Sequence, residues 1–502
     1  MQSSTAAQDP TKAEPAERAA GELRKEREPR ARRWQALAVL LTGNFVTVLD
    51  LFIVNVALDS IRKELHASLA DVQLVLVGYS AAYGVLLMNG ARLGDLFGRR
   101  RMFLVGMGLF TVASALCGLA QAPGVLIGAR ALQGIGAALL MPQVYASLRV
   151  SFEGEERRRA FSIMGAVQGV AASISQLAGG LLIEHGLGGF GWRLVFLINV
   201  PIGIAAVVAG RARIVETRAP VPAKLDVGGA VLAALGLVLL LVPFMEGREY
   251  GWPWWSIAAP ALSVPLFVYF VRHEKALSTR GGVPIIEMAL FRNTKFVTGV
   301  AAVFLFYSSI SSFFLSLTML LQTGLGMSPL AAGAVFTPSA IAFFAASLAG
   351  PRLSRVLGGR ALLLGVLVFT TGLGLSVIAG AVAPEDRALV ISSLVLNGAG
   401  QGLVIPLALE AVLSRVGDEH AGMGAGALTT MQVVGSSVGV ALVGVLFFSM
   451  IGEAGAAPAG LRAVIYGHAF AKATLYNIAA SLMSLVMFAL LLRKARRPDH
   501  AR

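Results

Sequence analysis

The chain has 502 residues, of which 56% are hydrophobic and only 14% charged, with 57 glycines and a mean hydropathy of +0.73. That composition excludes a soluble globular protein and specifies an all-α polytopic membrane protein. The formal net charge of +14 does not indicate nucleic acid, because the basic residues gather beside apolar runs, mostly on one side of them, where they orient a membrane protein and meet anionic lipid.

Residues 1–33 are polar and charge-mixed and close on Arg24, Lys25, Arg27, Arg30, Arg32 and Arg33. They lack the short apolar core and small-residue cleavage site of a signal peptide, and read as a disordered basic cytoplasmic tail. Fourteen apolar runs of spanning length follow, at 35–58, 71–91, 102–121, 124–148, 161–184, 193–210, 227–246, 254–271, 296–322, 328–350, 361–382, 387–413, 422–451 and 470–492. The even-numbered gaps hold the arginine clusters and the odd-numbered gaps are poor in them, which places both termini in the cytoplasm and the chain, multi-pass, in the cytoplasmic membrane.

The second gap opens on GARLGDLFGRRR, residues 90–101, and the tenth on GPRLSRVLGGR, residues 350–360. Laid over one another they repeat Gly90 as Gly350, Arg92 as Arg352, Leu93 as Leu353, Gly98 as Gly358 and Arg100 as Arg360. Both read as tight polar turns at the inner membrane face, since lipid tolerates no loose backbone. A turn repeated eight helices apart predicts two parallel six-helix halves, at 34–210 and 293–492, with linkers and an inserted helix pair between them at 211–292 and a short tail at 493–502.

A charge inside a spanning helix costs about 2.5–3.5 kcal/mol on insertion scales, so it persists where it faces a cavity or a partner. Asp50, in helix 1, is such a charge. With Asn44, Thr47 and Asn55 it shares one helix face, read as wetted, from which its carboxyl could exchange a proton for a cationic substrate. Arg130, early in helix 4 with Gln133 one turn on, needs an acid or several carbonyls, and Asp50 is the partner nearest in kind. Asn397 and Gln401 on helix 12 are cavity candidates. Tyr79, Tyr83 and Tyr307, the last with the Ser308–Ser312 cluster, offer walls for a flat or cationic ligand. Glu410 is expected to make an interfacial ion pair with Arg415. Single Cys117 permits no intrachain disulfide, the six histidines make no ligand pair at metal spacing, and no cofactor, metal site or enzyme signature is expected.

Together these residues resemble the major facilitator superfamily, and within it the fourteen-helix drug/proton antiporter branch. Leu93, Asp95, Gly98, Arg99 and Arg100 match the superfamily's G-x-L-x-D-x-x-G-R-[RK] signature. LDLFIVNVAL at 49–58, RALQGIGAAL at 130–139 and WRLVFLINVPIG at 192–203 are similar to the branch's motifs in helices 1, 4 and 6. The resemblance implies that Asp95 and the arginines form an inner-gate turn, that Asp50 is a proton or substrate carboxylate and that Arg130 belongs to the proton relay. Phe52, Asp59 and Ala91 depart from the branch's residues, and Ser175 and Gln176 stand where its helix 5 motif has Gly-Pro. Losing that pair should straighten helix 5 and thicken its contact. Asp95 and Arg355, opposite in charge at matching places of the repeat, are expected to pair when the inside is closed.

The reading is proton-coupled efflux of a small amphipathic organic compound by alternating access, with a monomer as the functional unit and substrate, protons and lipid as partners. Uptake or uniport by the same fold is the alternative that the altered helix 5 motif favours. A non-transporting sensor or scaffold is a third reading, which the insertion cost of Asp50 and Arg130 opposes.

Overall fold

The computed structural model describes residues 30–218, 225–280, 284, 290–416, 421–451 and 458–493. Among them are fourteen helices long and apolar enough to cross a membrane: α1 Arg30–Glu64, α2 Leu69–Phe97, α3 Arg99–Gly118, α4 Pro123–Ser151, α5 Gly154–Glu184, α6 Gly191–Arg213, α7 Val227–Glu246, α8 Trp254–Thr279, α9 Thr294–Gly324, α10 Pro329–Leu357, α11 Arg360–Val382, α12 Arg387–Leu413, α13 Ala421–Ile451 and α14 Ala459–Leu492.

Several helices outrun their apolar runs. Arg30, Arg32 and Arg33, expected in the tail, belong to α1, and α14 starts at Ala459 and carries Arg462, His468 and Lys472. Hydropathy marks only the stretch that meets lipid, while the backbone ladder continues past it and long basic side chains reach water. The clearest correction concerns residues 90–101 and 350–360. Neither is a polar loop: α2 stays helical through Asp95 to Phe97 and α3 begins at Arg99, leaving Gly98 alone between them at φ 107°. Likewise α10 runs to Leu357, Gly358 takes φ 57°, and α11 begins at Arg360. Glycine alone takes these angles without a Cβ penalty, so the repeat survives as a matched pair of helix-breaking glycines.

Packing follows the same duplication. In the first six helices α4 packs on α2 and α3, and α1 on α5 and α6; in the last six α12 packs on α10 and α11, and α9 on α13 and α14. The two sets meet where α5 packs on α10 and α2 on α13. The α5–α10 contact is close because Gly180 lies on Leu330 and Pro329 and Gly333 on the Gln176 carbonyl, with no room for a Cβ at either glycine. Small residues of this kind are how helices hold together where lipid removes the hydrophobic drive. Side chains add ties at the same end: Gln322 Nε2 donates to the Val56 carbonyl at 2.8 Å, Thr323 Oγ1 to Asp59 Oδ1 at 2.8 Å and Ser328 Oγ to Glu184 Oε2 at 2.7 Å. The sets are thus joined at the face opposite Arg99–Arg101, here called the basic face. The inserted pair, α7 and α8, pack on each other, and α7 stands against α2 and α13.

Candidate functional site

A cavity of about 2310 Å³ lies between the two sets. Its walls run from Asn55, Gln176 and Phe336 at the joined end to Arg33, Arg149, Arg157 and Arg218 at the basic face. Aromatic rings make much of the lining. Tyr79 and Tyr83 stack at 6.1 Å, Phe314 stacks on Phe336 at 5.4 Å, and Phe52 meets Phe314 edge-on at 6.3 Å. Phe52, where the family pattern has Thr, therefore packs from α1 onto α9 across the seam. Uncharged polar groups stand among the rings, including Asn55, Gln168, Gln176, Ser339, Gln401, Gln432 and Ser436, while the charged side chains other than Arg130 gather toward the basic face. The acids among the described lining residues, Asp95, Glu153 and Glu216, all stand toward the basic face.

Asp50 is 0% exposed and is not part of this wall. The polar face of α1 is split: Thr47 and Asn55 look into the cavity, while Asn44 and Asp50 are sealed behind it. Asp50 instead faces α4 and α6. Its Oδ2 accepts from Arg130 Nη1 at 2.5 Å, and its Oδ1 accepts from Gln133 Nε2 at 2.8 Å and Asn199 Nδ2 at 3.1 Å. Arg130 is 1% exposed and reaches further, to the Val75 carbonyl from Nε at 3.0 Å and to Gln133 Oε1 at 2.7 Å. Its guanidinium carbon lies 4.4 Å from the centre of the Tyr79 ring, a cation–π distance, and Arg130 and Tyr79 together form cavity wall. Gln133 also donates to Ser114 Oγ at 2.8 Å. A buried charge pair holds together only when its remaining hydrogen-bonding capacity is met, and here five helices, α1 to α4 and α6, supply the partners. Only one thin layer, Arg130 and Tyr79, separates the carboxylate from the cavity.

At the basic face Arg99 Nη2 donates to Asp95 Oδ1 at 3.0 Å and Arg100 Nη2 to the Arg211 carbonyl at 2.7 Å. Glu216, which follows α6, accepts from the main-chain N–H of Arg100 at 3.0 Å and of Arg101 at 3.2 Å. It sits on the N-terminus of α3, where a helix favours an anion, and lies so close over Gly98 that a Cβ there would overlap it.

The expected site residues thus fall into three groups. Asn55, Tyr79, Tyr83, Tyr307, Gln401 and Arg130 line the cavity, as do Asp95 and Arg99 near its mouth. Gln133 belongs to the buried Asp50 network, and Asn397, also 0% exposed, accepts from Gln401 Nε2 at 2.5 Å from behind the wall. Arg355 is exposed and forms no ion pair with Asp95 in this conformation, which is parted at the basic face. Two further expectations are corrected. Ser308, Ser309 and Ser312 are 0% exposed and bind Tyr476 and Asn477 of α14, so they fasten two helices and leave only Ser311 in the wall. Glu410 is exposed and makes no ion pair with Arg415, a pairing that water at an exposed site rewards little. Asn199 and Glu216 are the residues sequence reasoning missed, and Phe52, noted there only as a departure from the family pattern, lines the cavity. A signal existed for the first, since Asn199 lies within the helix 6 motif WRLVFLINVPIG.

Residues 40–440 match the model of the Major Facilitator Superfamily. The chain is 38% identical to the probable actinorhodin transporter of Streptomyces coelicolor over 85% of its length and 74% of that protein's. It is 35% identical to the cephamycin export protein of Amycolatopsis lactamdurans over 91% and 92% of the two chains. Among solved structures, a peptide transporter in complex with sulfate superposes with a TM-score of 0.65 at 14% identity, over 91% and 94% of the chains, a likeness of fold.

Proposed function

The chain belongs to the major facilitator superfamily of membrane transporters, and from that premise we propose that it exports a flat, amphipathic organic compound, neutral or acidic, in exchange for protons. The basic face is assigned to the cytoplasm by the positive-inside rule, so the conformation described takes up cargo from inside while the contacts of α5 with α10 close the outer side. The export direction is supported by the relatives named for actinorhodin transport and cephamycin export.

The observation that carries the coupling is the buried pair in which Asp50 is sealed directly behind the cavity wall and Arg130 forms part of that wall. Arginine keeps its charge. Protonating Asp50 would loosen the ion pair and draw Arg130 from its place against the Tyr79 ring, lowering the wall's hold on cargo; bound cargo, keeping the guanidinium in place, would favour the ionised carboxylate. Proton and cargo then compete through one guanidinium. Each proton entering down 100 mV supplies about 2.3 kcal/mol for the exchange.

The same geometry changes the class of cargo. An aspartate that lined the cavity would select cations, but Asp50 is walled off and the charged group in the wall before it is Arg130. A ring of tyrosines and phenylalanines with a guanidinium among them fits a flat aromatic body with neutral or acidic substituents. The loss of Gly-Pro at Ser175 and Gln176 does not open the outer seal, because Gly180 and Gly333 hold α5 against α10; antiport is favoured over uniport on that ground. In everted vesicles with an acidic interior, adding flat acidic or neutral compounds should release protons. Release by lipophilic cations alone would refute the assignment of cargo, and release by no compound while labelled cargo still crosses would refute coupling.

A further inference from the structure

The inserted pair carries a cluster that export does not use. Asp226 precedes α7, His273 and Glu274 lie near the end of α8, and one ligand atom from each stands within 4.8 Å of the others. The side chain of Asp226 is 4% exposed, Glu274 is 0% exposed, and His273, at 32%, leaves a path from the basic face. His273 Nε2 is 3.0 Å from Asp226 Oδ1. Two donors about 2.1 Å from one ion stand about 3.0–3.4 Å apart, so this spacing is already that of ligands on a shared metal.

The second observation is what Asp226 leaves unused. Oδ1 accepts the Gly229 N–H at 2.8 Å and caps α7, while Oδ2 is buried and no N–H or hydroxyl reaches it. Oδ2 converges with Glu274 Oε1 over Gly229, where a Cβ would overlap both oxygens. Two carboxylates meeting in this way repel unless a cation, metal or proton, joins them. Asn89 of α2 donates to the Asp226 carbonyl at 3.3 Å and keeps Oδ1 buried without a partner beside the cluster. Arg92 of α2 donates to the Pro284 carbonyl and lies near both acids.

We propose that Asp226, His273 and Glu274 bind one divalent transition-metal ion, of the zinc or manganese kind, which clamps the start of α7 to the end of α8 beside the gate helix α2. One imidazole with two carboxylates suits those ions. The sequence hid the site because Asp226 is separated from His273 by the whole of α7 and most of α8, so no ligand spacing appears along the chain.

The test uses full-length, tag-free protein, stripped with chelator in detergent and dialysed against micromolar zinc or manganese, with bound metal measured by elemental analysis. Wild type should hold one equivalent per chain. His273→Ala and Asp226→Asn should each weaken binding by at least about 100-fold, and Gly229→Ala, which keeps every ligand but fills the space between the oxygens, by about 10–100-fold. Gel filtration selects folded material, and the partly exposed His273 makes its variant the least disruptive. No stoichiometric uptake by wild type, or equal uptake by folded wild type and His273→Ala, would overturn the site and leave a proton as the cation between the acids.

Discussion

At the residue scale, the central object is the hydrogen-bond set around Asp50. Arg130 makes contacts with Asp50, Gln133 and the Val75 carbonyl and covers the Tyr79 ring, which only a planar, many-donor cation can do at once. Arg130→Lys should therefore abolish transport as completely as Arg130→Ala while the protein still reaches the membrane; substantial transport by the lysine variant would show that charge alone suffices. Glu216 provides a second prediction. Glu216→Gln removes an anion from the N-terminus of α3 and should lower stability by about 0.3–1 kcal/mol in thermal unfolding, less at high salt. An unchanged or raised midpoint would contradict its role as a cap. The sequence made Asp50 and Arg130 legible because each is a lone charge in an apolar run. It could not show that Asp50 faces α4 and α6: Asn44, Thr47, Asp50 and Asn55 share an arc of α1, and which part of that arc meets water is decided by neighbours far away in the chain.

At the element scale, two glycine devices organise the helices. Gly98 and Gly358, at positive φ, turn one helix into the next at equivalent places, and Gly180 and Gly333 close the seam of α5 with α10. Gly333→Val should wedge that seam apart. In a Cys117→Ser background, a cysteine placed at Val56, now 0% exposed, should become reactive to impermeant thiol reagents from outside when Gly333→Val is added; continued protection would mean that other contacts close the outer face. Helix number, order and the repeat were readable from hydropathy and from the two glycine-arginine stretches. The ends were not, because α2, α10 and α14 continue as helices through residues polar enough to look like loops. Helix 5 likewise kept its close contact without Gly-Pro, since Gly179 and Gly180 already supply the small surface.

At the scale of the whole molecule, the first and last six helices repeat one packing pattern, joined at one face and parted at the other around a cavity walled by rings. Alternating access requires the opposite arrangement as well, in which the basic face closes. Asp95 and Arg355 then have the opportunity to pair that they lack here, and the charge-reversed double variant, Asp95→Arg with Arg355→Asp, should recover part of the transport lost by either single change. No recovery would remove the pairing and leave Asp95 with Arg99 alone. The most direct measurement of the account compares two activities of Asp50→Asn in proteoliposomes with wild type. Because the amide keeps the shape of the carboxylate but cannot carry the proton, cargo driven by a pH gradient should no longer accumulate, while exchange of labelled for unlabelled cargo at equal pH should continue. Gradient-driven accumulation by Asp50→Asn at the wild-type level would contradict the claim that this carboxylate couples protons to cargo.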